Sequence, residues 1–160
     1  MENNTSIELL EDVTLITLQD CPADTATLAY LFKAIADEGI DVDMISQIAT
    51  TKKTFELSFT VSGDDFGKVL DLAGKLRKEN PSLKLNVSNG NSKISVSAQW
   101  MRNCPGTAAK VLDIVSKVTP DIMMITTSET DISVLVPQSD GDNTLAALEK
   151  EFVDCSVERN

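Results

Sequence analysis

Apolar residues along this chain follow two rhythms, a period of two and a period of three to four, and the pair of rhythms runs through the chain twice. Val13–Leu18 partly alternates apolar with polar and is rich in β-branched residues, which predicts a strand. Gln19–Asp24 reads as a loop. From Thr25, residues Leu28, Leu31, Phe32, Ile35 and Ala36 fall on one helical face, with Asp24 or Thr25 as cap and Gly39 as stop. Residues 40–48 return to strand pattern, with Ile40, Val42, Met44 and Ile48 expected inward. After a polar turn at Thr51–Lys53, the residues Phe55, Leu57, Phe59 and Val61 alternate cleanly as a half-buried strand. A second helix starts at Gly63-Asp64-Asp65, faces inward through Phe66, Val69, Leu70, Ala73 and Leu76, and closes at Asn80-Pro81. Leu83, Leu85 and Val87 form a fourth strand, and Asn89-Gly90-Asn91 reads as a turn.

The same order then recurs. Ile94, Val96 and Ala98 make a strand, Asn103–Gly106 a loop, and Ala108, Val111, Leu112, Val115 and Val118 line a helix. Two strands are expected over 121–127 and 131–136. Leu145, Leu148 and Phe152 mark a last helix, and residues 153–157 a short final strand. Adding 80 to each number lays Ala26–Ser46 on Gly106–Thr126 without a gap, and Met44-Ile45 meets an identical Met124-Ile125. Upstream, Cys21-Pro22 matches Cys104-Pro105 at a shift of 83, so the first repeat carries three extra residues in the loop entering its helix. Two βαββαβ runs predict an α+β fold of two ferredoxin-like domains, each an antiparallel sheet with helices on one face. By the repeat, the first domain covers 1–90, with a leading segment 1–12, and the second covers 91–160. Each core is small, so support from a neighbour is expected.

Charge and composition narrow the function. A net charge of −11 disfavours partners bound through phosphates, so neither nucleic acid nor an anionic membrane surface is expected. No apolar stretch reaches transmembrane length and the polar, acidic N-terminus is unlike a signal peptide, which suggests a cytoplasmic protein. Histidine is absent, which removes the commonest general base and metal ligand. Cys21, Cys104 and Cys155 are widely spaced, odd in number and free of any CxxC pair, so they read as free thiols. Phosphate-loop and dinucleotide-binding glycine motifs are missing. No catalytic residues, cofactor or metal are therefore expected.

The loop-to-helix junctions carry the remaining chemistry. Pro105-Gly106 stands just ahead of a helix, where backbone N–H groups and the helix dipole favour an anion such as an α-carboxylate. An amino acid also needs an acceptor for its ammonium group, and Asp20, Asp41, Asp43 and Asp121 are expected at strand ends or loops near such a junction. Turns and caps favour these same residue types, so plain capping is the competing explanation. Trp100 reads as core or interface, and Arg102 as a carboxylate holder or a surface ion pair.

Taken together, the residues resemble a known family. The run Val13-Thr14-Leu15…Asp20-Cys21-Pro22…Gly39–Gln47 resembles the first ACT domain of aspartokinases. Met101–Lys110 with Met124–Glu129 and Ile132–Val134 resembles the second, and Ser6–Leu10 the segment leading in. The resemblance covers nearly the whole chain but not the kinase domain. It implies an allosteric region that binds lysine, threonine or both and feedback-regulates aspartate phosphorylation, as part of the kinase or as a separate regulatory subunit. It also implies a homodimer through ACT–ACT contacts that extend a sheet, and a terminal strand exchanged between the two ACT units. Carried over by position, the effector-binding residues are Asp20, Asp24, Thr25, Ala26, Ile40, Asp41, Val42, Asp43 and Gln47 in the first repeat. In the second they are Asn103, Pro105, Gly106, Thr107, Ala108, Asp121 and Ile122. The chain departs from the family at Ala23, where glycine is usual after the proline, at Trp100, where glycine is usual, and at Met123, where a polar residue is common. A stand-alone ACT pair acting as a structural dimerisation module, or regulating another partner, remains the alternative.

Overall fold

The computed structural model describes residues 5–50, 53–152 and, by backbone, 155–159. Its elements run β1 (Thr5–Pro22), α1 (Thr25–Asp37), β2 (Ile45–Ala49), β3 (Thr54–Ser62), α2 (Phe66–Glu79), β4 (Lys84–Ser97), α3 (Thr107–Val115), β5 (Met124–Thr127), β6 (Asp131–Pro137), α4 (Gln138–Glu151) and β7 (Cys155–Arg159). The chain divides into two compact units, residues 13–89 and residues 1–12 together with 90–160.

In the 13–89 unit the hydrogen-bonded strand order is β2-β3-β1-β4, with β3 antiparallel to both β2 and β1. The alternation read from Phe55 to Val61 holds, and all four residues are buried. They share a core with Ile16 and Leu18 of β1, Leu31 and Ile35 of α1, and Val69, Leu72 and Leu76 of α2. Helix α1 begins where the Asp24 side chain caps it. It ends at Gly39, whose φ of 68° allows the Gly39 N–H to reach the Ala36 carbonyl and the Ile40 N–H to reach that of Ile35. This left-handed glycine closure satisfies carbonyls that the last turn leaves open. Gly63–Asp65 forms a short 3₁₀ turn before α2 rather than its first α-helical turn.

In the other unit the order is β5-β6-β4-β1, and β7 pairs with β1 in parallel, Thr5 opposite Cys155. Ile7 and Leu9 of β1 pack into a core with Ile94 and Val96 of β4, Val111 and Val115 of α3, Ile132, Val134 and Val136 of β6, and Leu145 and Leu148 of α4. Residues 5–12, the described part of the leading segment that the repeat grouped with the first domain, therefore cluster with residues 90–152.

Several expectations change. The turn expected at Asn89-Gly90-Asn91 is continuous strand, with Gly90 at φ 67° inside β4. A positive-φ glycine lets a strand bend without breaking its ladder. The strand expected over 40–48 is laddered only from Ile45. Ile48 faces solvent, because β2 lies at the end of the strand order. Leu70 is likewise exposed, and Leu72 takes the inward position. The strand expected from Asp121 starts at Met124. Of the final strand expected over 153–157, residues 153 and 154 lie outside the described residues, and β7 begins at Cys155. The repeat itself survives in detail: Met44 and Met124 are 3% and 7% exposed, whereas Ile45 and Ile125 are 49% and 43% exposed.

Candidate functional site

At the entrance to α1, the Asp24 carboxylate occupies the cap. Its Oδ1 accepts the Thr27 backbone N–H at 2.7 Å and its Oδ2 accepts the Thr27 hydroxyl at 2.8 Å. The bond to the Thr27 N–H is the main cause that holds the Asp24 pKa below its ordinary value. Beside this cap lies an open pocket of about 260 Å³, lined by Ala23, Asp24, Thr25 and Leu28 together with Gln47, Ala49 and Phe55. Asp24, Thr25 and Gln47 of the predicted set thus line one concavity. Ala26 is exposed on the first turn of α1. Asp20, at φ 61°, pairs with Lys84 at 3.0 Å. Leu28, Ala49 and Phe55 were not among the predicted site residues. Inward patterning of Leu28 and Phe55 pointed to core packing, Ala49 carried no signal, and strand pairing sets Ala49 opposite Phe55 beside the α1 entrance.

The second corner is built differently. Gly106 caps α3 in the left-handed conformation, at φ 95°, and no side chain closes the first turn. Thr107 instead donates its hydroxyl to the Cys104 carbonyl at 3.0 Å. Asn103 also has a left-handed backbone, at φ 58°, and Asn103, Pro105, Gly106 and Ala108 are exposed. Trp100 donates its indole N–H to the Thr5 hydroxyl at 2.9 Å and stacks on Phe152. Arg102 forms an exposed ion pair with Glu129 at 3.2 Å, which takes the surface-pair reading of that residue.

Strand register separates the acidic segments from these corners. In the 13–89 unit, Asp41 and Asp43 are exposed beside buried Ile40 and half-buried Val42, and the Asp43 N–H donates to the Thr60 carbonyl. The α1 entrance lies at the other end of β2, where Ala49 pairs with Phe55. Six residues of extended chain between Asp43 and Ala49 span roughly 20 Å. The other unit repeats this layout. The Met123 N–H donates to the Leu135 carbonyl just after exposed Asp121 and half-buried Ile122, while Thr127 at the far end of β5 pairs with Ile132. Within one unit, then, the corner and the acidic strand start of the same repeat stand at opposite ends of the sheet.

Other chemistry is sparse. Burial, with Asp20 adding to it, pushes the Cys21 thiol up to about 11, whereas Cys104 is exposed. Among the described residues no group of three or more cysteine or acidic side chains is placed to hold a metal, and no helix is long and apolar enough to cross a membrane.

Comparison with known proteins bears on this geometry. An ACT-domain family model matches residues 90–152. Aspartokinase of Bacillus sp. (strain MGA3) is 27% identical over 142 residues, which is 89% of this chain and 34% of that protein. The chain thus spans about a third of the length of the curated relatives it matches. The ligand-free regulatory subunit of aspartate kinase from Thermus thermophilus is 28% identical with a TM-score of 0.81, over 91% of this chain and 96% of that one. The corresponding regulatory subunit from Thermus flavus is 27% identical with a TM-score of 0.82, over 94% of this chain and 99% of that one. The shared fold carries both repeats, and the family model falls on the repeat whose corner is bare. Residues 90–152 are an ACT domain, and over about nine-tenths of its length the chain is a homologue of the regulatory subunits and regions of aspartokinases.

Proposed function

We propose that this chain senses an amino acid, lysine or threonine, and passes the signal to an aspartokinase catalytic domain or subunit as feedback inhibition. The observation that carries the reading is the uncapped Gly106–Thr107 corner inside the matched ACT domain. There the effector's α-carboxylate meets first-turn N–H groups and the helix dipole, with Asn103, Pro105 and Ala108 around it. Asp121 supplies the acceptor for the ammonium group and Ile122 an apolar wall.

Because corner and acidic strand start lie at opposite ends of one unit, a second copy completes the site. Strands β2 and β5 both end the strand order of their units and expose Ile45, Ile48 and Ile125. Antiparallel pairing of such an edge with another copy sets the acidic start of one strand beside the corner of the other. The sensor therefore acts as a homodimer, and an effector that binds one arrangement of the dimer better shifts the population toward it.

Thermal-shift and sedimentation measurements test this together. Millimolar L-threonine or L-lysine raises the melting temperature, because a ligand that binds only the native state stabilises it. Sedimentation shows a dimer that dissociates on dilution. A concentration-independent monomer whose melting temperature responds to neither amino acid rules the reading out.

A further inference from the structure

We propose that the groove between α3 and α4 binds a small amphipathic anion, a carboxylate or phosphate ester with a short apolar body. The groove shares no residue with the Gly106 corner, so this site is separate from the sensing role proposed above.

Its charged rim follows from helical spacing. Lys110, Asp113 and Lys117 fall three and four residues apart, so they line one stripe of α3 and the turn that follows it. Lys150 and Glu151 close α4 opposite them. Between the two rims lies an open groove of about 290 Å³. Its floor is apolar: Ile114 is buried, and Val118 and Ala147 are half-buried. The volume falls just below the ~300–1,000 Å³ of pockets that take drug-sized ligands, so the occupant is smaller.

The rim is positive in a chain that is not. The whole chain carries a net charge of −11, yet three lysines and two carboxylates line this groove. The carboxylates act on one of those lysines. Asp113 bonds Lys117 at 2.7 Å, and that contact, with Glu151 adding to it, holds the Lys117 ammonium above its ordinary pKa. Lys110 is fixed at the groove by neutral groups. Its Nζ donates to the Glu151 carbonyl at 3.4 Å and lies 4.5 Å from the centre of the Phe152 ring, and neither of these cancels its charge. Lys110 and Lys150 thus bring one ammonium group from each helix over the apolar floor. Surface ion pairing accounts for Lys117, but not for the concave apolar surface beneath the other two. An anion with a short apolar body fits both features: its head meets the ammonium groups, and its body covers Ile114, Val118 and Ala147.

The test titrates the whole chain, labelled with ¹⁵N, with hexanoate, with butyl phosphate and with hexan-1-ol. Millimolar levels of the anions are expected to give saturable amide shifts at Lys110–Val118 and Ala147–Glu151, weakening as salt is added, and the neutral alcohol is not. The tighter anion identifies the head group. Lys150→Gln and Lys110→Gln should each weaken binding about fivefold, the effect of one exposed charge pair. Lys33→Gln removes the same charge from α1 and should leave binding unchanged. Lys110 also braces the end of α4, so Lys150→Gln keeps the test readable if Lys110→Gln loses stability. Non-saturating shifts, an equal response to hexan-1-ol, unweakened binding in Lys150→Gln, or shifts confined to Gly106–Ala108 would each overturn the groove site. None of these results bears on the sensing role, which is read with L-threonine and L-lysine.

Discussion

Gly141 in α4 lies so close to Ser92 in β4 that a Cβ built on the glycine would stand 2.9 Å from the serine Oγ. Ordinary side-chain contacts do not come that near, so α4 can sit against this part of the sheet only because position 141 has no side chain. Gly141→Ala forces the helix or the strand to shift and is expected to cost about 1–3 kcal/mol, the usual range for overpacking. Chemical denaturation measures the cost. An unchanged denaturation midpoint would show that the helix adjusts freely.

The Ser92 hydroxyl that faces this contact is fully buried and has no hydrogen-bonding protein partner among the described residues. Removing a buried, unpartnered hydroxyl relieves a desolvation cost while leaving the packing nearly intact. Ser92→Ala is therefore expected to be neutral or stabilising by up to ~1 kcal/mol, read from the same denaturation curves. A loss of more than that would mean the hydroxyl is satisfied in solution.

Cys21 is completely buried in the core of the 13–89 unit, with its thiol pushed up to about 11. Near pH 8 only ~0.1% of such a thiol is ionised, and the thiolate is the reactive form. Alkylation of the folded protein followed by peptide mass spectrometry should modify exposed Cys104 and spare Cys21 until denaturant is added. Rapid modification of native Cys21 would show that the β1 end of the core opens readily.

The Asp24 cap gives one sign for acid sensitivity. Its pKa is held below the ordinary 3.8, chiefly by the Thr27 N–H, so the folded chain favours the ionised form more than the unfolded chain does. The cap's contribution is then fully present above the ordinary carboxylate range. It is lost as pH falls through the depressed folded value. A pH titration followed at the Thr27 amide should show a step below the ordinary aspartate midpoint, absent in Asp24→Gly. A step at or above that midpoint would place the carboxylate free in solvent.

Much of this molecule was legible along the chain because its signals are local. Alternation marked Phe55 to Val61 and Met44 as inward, three-to-four spacing marked Leu31 and Ile35, and the offset of 80 matched Met44 to Met124, both of which are buried. Helix starts at Asp24 and Gly106 were readable because capping chemistry belongs to a few adjacent residues. The candidate site was legible in its parts and not in their arrangement. Asp41 and Asp43 were recognised as acidic strand-start residues, but only the register that sets Ala49 against Phe55 reveals that they stand at the far end of the sheet from the α1 entrance.

What the sequence by itself determined, then, is the identity and order of the elements, their buried faces, and the doubling of the whole pattern. Tertiary structure alone decided where the leading strand belongs. Ile7 and Leu9 have the same alternation whichever sheet receives them, and they join Ile94 and Val134 in the second unit's core. It also decided that Asn89-Gly90-Asn91 runs on as strand. A turn signal reports what a backbone tolerates locally, whereas a strand's hydrogen bonds are satisfied by partners distant in sequence, and that non-local pairing sets the outcome.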